Sequence, residues 1–306
     1  MSNQWNSEFE ISTNLAQALI EEQFPSLSPA KVEYIASGWD NAVFRVNHVY
    51  MFRFPRRKVA VPLIETENHV LPKVALSLEG EVPISTPIFL GKQSEQFPYP
   101  FSGYHAIEGR TAAEQNVTKE QRIDIAKPMA SFLKKLHAIP NSRLQDWGVG
   151  QDTIARLDLQ TRGPKLEKEL TMLEKNGMIK DAAPYLQMID EARAAQETQQ
   201  TFVHGDLYFR NFLVGEHGGL AGIIDWGDLH IGNPAVDLAI AFSFFPLEGR
   251  KIFFENYGAV DEDTLYLARF RALYVMSYLV FYGMDIEDQQ ITDEALVSME
   301  HILENE

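Results

Sequence analysis

The chain has 306 residues, 45% of them hydrophobic, which is more than one core usually holds and enough for two packed regions. A formal charge of −16 argues against nucleic acid or an anionic membrane as the main partner and leaves cationic small molecules attractive. The absence of cysteine excludes disulfides, thiolate nucleophiles and cysteine metal sites.

At the N-terminus, Met1-Ser2-Asn3-Gln4-Trp5 has neither a basic start nor an apolar signal core, and no apolar run is long enough to span a bilayer, so a cytoplasmic protein is expected. Ile35 to Val46 reads as strand, polar turn and strand, and Tyr50 to Arg57 as an apolar strand with a cation, Arg53, at its centre. Arg56 and Arg57 at its end read as a solvated loop. Pro62 opens a helical segment that carries Glu65 and Glu67. A stretch punctuated by Pro83, Pro87, Pro98 and Pro100 suits strands and loops, not a helix. From Thr118 the pattern turns helical. Thr118 and Gln121 make a capping box, Ile125, Met129, Phe132, Leu133 and Leu136 recur at helical spacing, and Pro128 predicts a kink. A second helical region is read over 165–199 and a third set from Pro234 onward.

Chemistry concentrates between these helical regions. His204-Gly205-Asp206 is followed by Arg210-Asn211 and, after two apolar runs, by Asp225-Trp226-Gly227. An acceptor hydroxyl must be held in line with the leaving phosphate and must lose its proton as it attacks, a task for Asp206. Phosphate oxygens gather charge, which magnesium neutralises when hard oxygen ligands hold it, and Asn211 and Asp225 have that character. Phe212–Gly215 and Leu220–Ile224 read as a hairpin turning through Glu216-His217-Gly218-Gly219, which would carry both ligands to one edge. His204 either takes part in catalysis or braces the loop through a backbone hydrogen bond, and Arg210 either screens phosphate charge or pairs with a surface carboxylate.

The string HGD-x-x-x-x-N with Ile224-Asp225-Trp226-Gly227-Asp228 resembles the aminoglycoside phosphotransferase family, related to choline kinases and macrolide phosphotransferases. Protein kinases read His-Arg-Asp and Asp-Phe-Gly at these points and carry an Ala-Pro-Glu segment that this chain lacks, so protein substrates are not expected. The resemblance implies an α+β, bilobal, protein-kinase-like fold, with a small β-rich N-terminal lobe over 1–104 and a larger, mainly helical lobe over 105–306. It also implies ATP or GTP and Mg2+ as cofactors. Ser37 and Asn41 would approach the phosphates in place of a glycine-rich turn, since only Gly38 is present there. Arg53 would hold the inner phosphates where kinases use lysine, with Glu67 aiming it and Glu65 as the alternative. Phe101 to Gly109 resembles the hinge, where His105 and Ile107 would contact the base. Tyr104 would stand behind it, favouring guanine, or be an ordinary core aromatic.

The acceptor is the least legible part. An aminoglycoside is the first class implied, followed by a macrolide and then by an amino alcohol or sugar, and the enzyme is expected to be a monomer or weak homodimer. A catalytically inactive nucleotide-binding module is the reading from another class. Asp228 and the group Asp285, Glu287 and Asp288 are candidate substrate carboxylates, the last three alternatively a solvated loop between helices. Leu238 to Phe245 is an apolar run where aminoglycoside kinases carry carboxylates. Asp237 before it suits bracing the catalytic loop better than binding substrate.

Overall fold

A computed structural model describes residues 8–38, 40–197 and 199–304, so Met1–Trp5 and Trp39 lie outside the described residues. The chain divides into two compact units that are not simple halves. One comprises the described residues up to Glu79 with Pro83–Glu108 and Asp225–Asp228, and the other takes Gly80–Val82, Gly109–Ile224 and the described residues from Leu229 on.

In the first unit, helix α1 (Thr13–Gln23) is capped by Ser12, whose side chain accepts from the Leu15 amide. Strands β1 (Val32–Ser37), β2 (Asn41–Val46) and β3 (Tyr50–Pro55) precede helix α2 (Val61–Ser77), which carries Pro62 in its first turn. Strands β4 (Pro87–Gly91) and β5 (Phe101–His105) complete an antiparallel sheet in the order β1-β2-β3-β5-β4. The period of two along β2 buries Ala42, Phe44 and Val46 on one face. These meet Ala16, Leu19 and Ile20 of α1 and a cluster of rings from Phe52, Phe54, Phe97 and Phe101. Phe54 and Phe101 stack at 4.4 Å. Each such ring contributes about 1.5–3 kcal/mol by leaving water, so the aromatic cluster supplies much of what fixes β3 and β5. Gly103 faces Phe52 so closely that a Cβ there would lie 2.6 Å from the ring.

The second unit opens with β6 (Arg110–Thr111) and the short α3 (Ala112–Gln115), followed by α4 (Lys119–His137) and α5 (Asn141–Asp146). The capping box of Thr118 and Gln121 forms as read, and α4 runs on through Pro128 as one helix. The region read as continuous over 165–199 is two helices, α6 (Leu159–Lys175) and α7 (Ala183–Ala194). The break falls after Asn176-Gly177, where Gly177 takes φ +70°, a left-handed conformation that ends a helix cheaply only at glycine. The helix also starts earlier than read, because Asp158 caps it by accepting from the amides of Gln160 and Thr161.

Strand β7 (Thr201–Val203) leads into the His204-Gly205-Asp206 motif, and β8 (Phe212–Val214) pairs antiparallel with β9 (Leu220–Ile223) as the expected hairpin. Strand β10 (His230–Gly232) returns to pair with β7. Helices α8 (Ala235–Ser243), α9 (Leu247–Tyr257), α10 (Glu262–Asp285) and α11 (Gln289–Leu303) finish the unit. Every residue of α8 is buried, so the apolar run after Asp237 is core. No helix among the described residues is long and apolar enough to cross a membrane.

Candidate active site

In the first unit the central element is Arg53 on β3. Its guanidinium donates to Glu67 Oε2 at 2.7 Å and to Asp225 Oδ1 at 2.9 Å, a fork that a single ammonium could not reproduce. Glu67 is buried on α2 while Glu65 is exposed, because the helical period turns positions 64, 67, 70 and 71 inward. Burial pushes the Glu67 carboxyl up to about 7, against the pull of Arg53, and the negative charge of Asp225 adds to the rise. Burial works against the charge on Arg53, but Glu67 and Asp225 outweigh it and hold the guanidinium above its ordinary range. Glu67 Oε1 is buried with no hydrogen-bond partner, which leaves an acceptor facing the Gly227 backbone.

Asp225 is exposed and stands at φ +62°, a conformation L-residues adopt at a cost. Its Oδ1 accepts from Arg53, which leaves the other oxygen available to a cation. Ser37 ends β1, exposed, and its hydroxyl accepts from Tyr34 at 3.0 Å. Asn41 starts β2 with a buried, unpartnered Oδ1. Arg56 and Arg57 are not on a solvated loop. Arg56 donates to the Gly38 carbonyl at 2.8 Å and Arg57 pairs with Asp40, so both pin the 37–41 turn. On β5, Tyr104 is buried, while His105 is exposed with its ring 5.1 Å from that of Tyr50, and Ile107 just beyond the strand is partly buried. Asp228 is partly buried in this same unit.

In the second unit the motif begins on β7 and is held by Asp237 of α8. Asp237 accepts the amide hydrogens of His204 at 2.7 Å and Gly205 at 2.9 Å and contacts His137 Nε2 at 3.2 Å. Burial alone would raise this carboxyl, but His137 and the amides hold it below the ordinary range. The His204 ring is fully buried, with both nitrogens against backbone: the Asp206 amide donates to Nδ1, so Nε2 carries the proton and donates to the Ile224 carbonyl at 2.9 Å. These bonds tie the loop to the end of the hairpin. Arg156 adds a third brace, donating to the Gly205 carbonyl at 3.0 Å.

Asp206 is left partly exposed, its side chain 32% accessible. Asn211 Nδ2 donates to the Asp206 carbonyl at 2.7 Å and to its Oδ2 at 3.2 Å, which turns Asn211 Oδ1, a hard ligand, away from Asp206. The Ile224 amide donates to the Asn211 carbonyl at 3.0 Å, so the hairpin ladder extends to the residue before Asp225. Arg210 lies with its guanidinium 5.8 Å from the centre of the Tyr282 ring. The sequence reading missed Arg271 on α10, buried and 3.5 Å from Asp206 Oδ1. A cation inside an otherwise apolar helical face was the signal available for it.

The C-terminal acidic group lies where α10 passes into α11. Asp285 ends α10, Glu287 takes φ +57° in the connection, and Asp288 caps α11 by accepting from the Ile291 amide at 3.1 Å. Asp288 is thus occupied by its own helix, and the other two are exposed. No group of three or more His, Cys, Asp or Glu suited to a metal occurs among the described residues. Magnesium does not need one: it takes one or two protein oxygens and completes its shell with phosphate and water.

A buried Arg–Glu pair on sheet and helix, with an Asp–Asn loop leading into a hairpin that ends in a second Asp, defines the class of kinase-like phosphoryl-transfer proteins. The model of the phosphotransferase enzyme family matches residues 31–273, and the chain belongs to that family. It is a phosphotransferase enzyme with the α+β, kinase-like fold of the group. The GDP complex of wild-type aminoglycoside 2'-phosphotransferase-IIIa is similar at 23% identity and a TM-score of 0.69, over 95% of this chain and 99% of that one. Macrolide 2'-phosphotransferase type I is similar at 19% identity and a TM-score of 0.59, over 94% and 97%. The streptomycin-ATP-APH(2")-IIa ternary complex gives 18% identity and a TM-score of 0.59, over 95% and 97%.

Proposed function

We propose that the protein transfers the terminal phosphoryl group of ATP or GTP to a hydroxyl of a small molecule. The observation that carries this is the setting of Asp206: a partly exposed carboxylate, held by Asn211 and Arg271, on a loop braced by Asp237 and Arg156. The acceptor oxygen forms a bond to the terminal phosphorus, its proton passes to Asp206, and the bond from phosphorus to the bridging oxygen breaks to release the nucleoside diphosphate. Asn211 and Asp225 would hold magnesium, which supplies positive charge to the phosphate oxygens when bound. Arg53, aimed by Glu67, would grip the inner phosphates, with Ser37 and Asn41 near them, and His105 and Ile107 would meet the base beside Tyr104. His204 and Asp237 act as positioning residues.

Aminoglycosides and macrolides, the substrates that the relatives' names carry, are the first acceptors to try, with amino alcohols and sugars after them. A resistance role and a cytoplasmic, monomeric or weakly dimeric enzyme belong to the same reading. A coupled assay with magnesium and ATP or GTP, run across these acceptors for wild type and Asp206→Ala, tests it. The variant is expected to lose at least about a hundredfold in kcat, as positioned bases do. Equal rates in the two would remove the base.

A further inference from the structure

Arg271 is the inner end of a face on α10. Tyr274, Tyr278 and Tyr282 follow it at helical spacing and are partly exposed, while Leu273, Met276, Ser277 and Leu279 between them are buried. Tyr278 and Tyr282 stack at 6.3 Å with their rings 11° from parallel. Cations stand over this face along its length. Arg162 of α6 lies 4.9 Å from the Tyr274 ring centre, Lys165 lies 5.6 Å from Tyr274 and 5.7 Å from Tyr278, and Arg210 covers Tyr282. The carboxylates set against them are Asp206 at the inner end and Glu169, which accepts from Ser277 and lies 3.7 Å from Lys165. Asp285 ends the helix about one turn beyond Tyr282. Four cations stand against two carboxylates here, Asp206 paired with Arg271 and Glu169 with Lys165, which leaves a local surplus of positive charge in a chain of net charge −16.

We propose that this face receives the acceptor, and that the acceptor is a hydroxylated ring compound bearing an acidic group, not a polycation. The proposal rests on Asp206 being the base, as given under Proposed function. Tyrosine rims offer apolar contact to a ring and phenol hydroxyls to its oxygens. The Lys165 side chain, 54% exposed, is reachable by a carboxylate or phosphate on that ring. A molecule with several ammonium groups would set like charges against Arg162, Lys165, Arg210 and Arg271, which disfavours its binding. The Tyr278 phenol is pushed up to about 12, first by burial and then by its tyrosine neighbours, Glu169 and Asp206.

The test uses the full chain with magnesium and ATP or GTP, and glucuronate, quinate, glucose and kanamycin as acceptors, followed by phosphate transfer and by thermal shift. Glucuronate or quinate is expected to give the highest kcat/KM, and Lys165→Glu to raise its KM about tenfold or more while the KM for glucose moves less than twofold. Faster turnover of kanamycin overturns the proposal but leaves the phosphotransferase reading intact. So does a Lys165→Glu effect that falls on the KM of the nucleotide instead. Neither turnover nor a thermal shift with either acid also overturns it. Turnover that survives Asp206→Ala unchanged overturns the underlying reading instead.

Discussion

The Asp237 carboxylate accepts the amide hydrogen of His204 at 2.7 Å across 33 residues of sequence, and the next amide, that of Gly205, at 2.9 Å. The loop carrying Asp206 is therefore shaped by a helix that comes after it. Replacing Asp237 by alanine leaves two buried donors without an acceptor, at a cost of about 2–4 kcal/mol. Urea unfolding should show that loss, together with a lower kcat. A midpoint unchanged from wild type would mean that the loop does not depend on this brace.

Arg53 and Glu67 allow a cleaner separation of charge from packing. Arg53→Met strands a buried carboxyl and should destabilise the protein by roughly 3–5 kcal/mol, whereas Arg53→Met with Glu67→Leu should recover most of that. Chemical denaturation of both variants decides the matter. If the double variant is no more stable than the single one, Glu67 is not held by its partner in the way the geometry indicates.

Arg53→Lys keeps the charge but cannot span Glu67 and Asp225 with one planar fork. The KM for nucleotide should rise about tenfold, a change of about 1.4 kcal/mol, with little loss of fold stability. A KM within twofold of wild type would show that charge alone suffices at this position.

Acid sensitivity should trace in part to His301 on α11. Burial pushes its imidazole down to about 4 from the ordinary 6.5, with Arg122 adding to the fall. A lowered value in the native state favours folding above pH 6.5, and that contribution disappears as the pH drops toward 4. Melting temperatures taken between pH 7 and 4 should fall more steeply for wild type than for His301→Gln. Parallel curves would exclude the assignment.

Gly103→Ala would place a methyl group 2.6 Å from the Phe52 ring, in a cluster where neighbouring rings leave no room to move. Overpacking of this kind costs about 1–3 kcal/mol, and the loss should appear as weaker nucleotide binding with reduced thermal stability. Binding and melting equal to wild type would mean that the ring gives way freely.

Much of this was legible in the sequence where the determinants are local. The hairpin from Phe212 to Ile223 and the capping box at Thr118 follow from period and turn chemistry alone, whereas Glu67 was pointed to by the family resemblance, with Glu65 as the alternative. Arg271 escaped because its partner Asp206 lies 65 residues away, so a cation on an apolar face of α10 was visible in the sequence but what it pairs with was not. The split between α6 and α7 was carried by Asn176-Gly177, a turn signal outweighed by helical composition on either side. Arg56 and Arg57 read as solvated because their partners, Gly38 and Asp40, reach them only through the fold of the sheet.

The left-handed backbone of Asp225 sets the demands of the fold against those of the chemistry. Glycine would relax that position and carry no carboxylate, so selection for heat resistance alone would favour removing the very group proposed to hold magnesium.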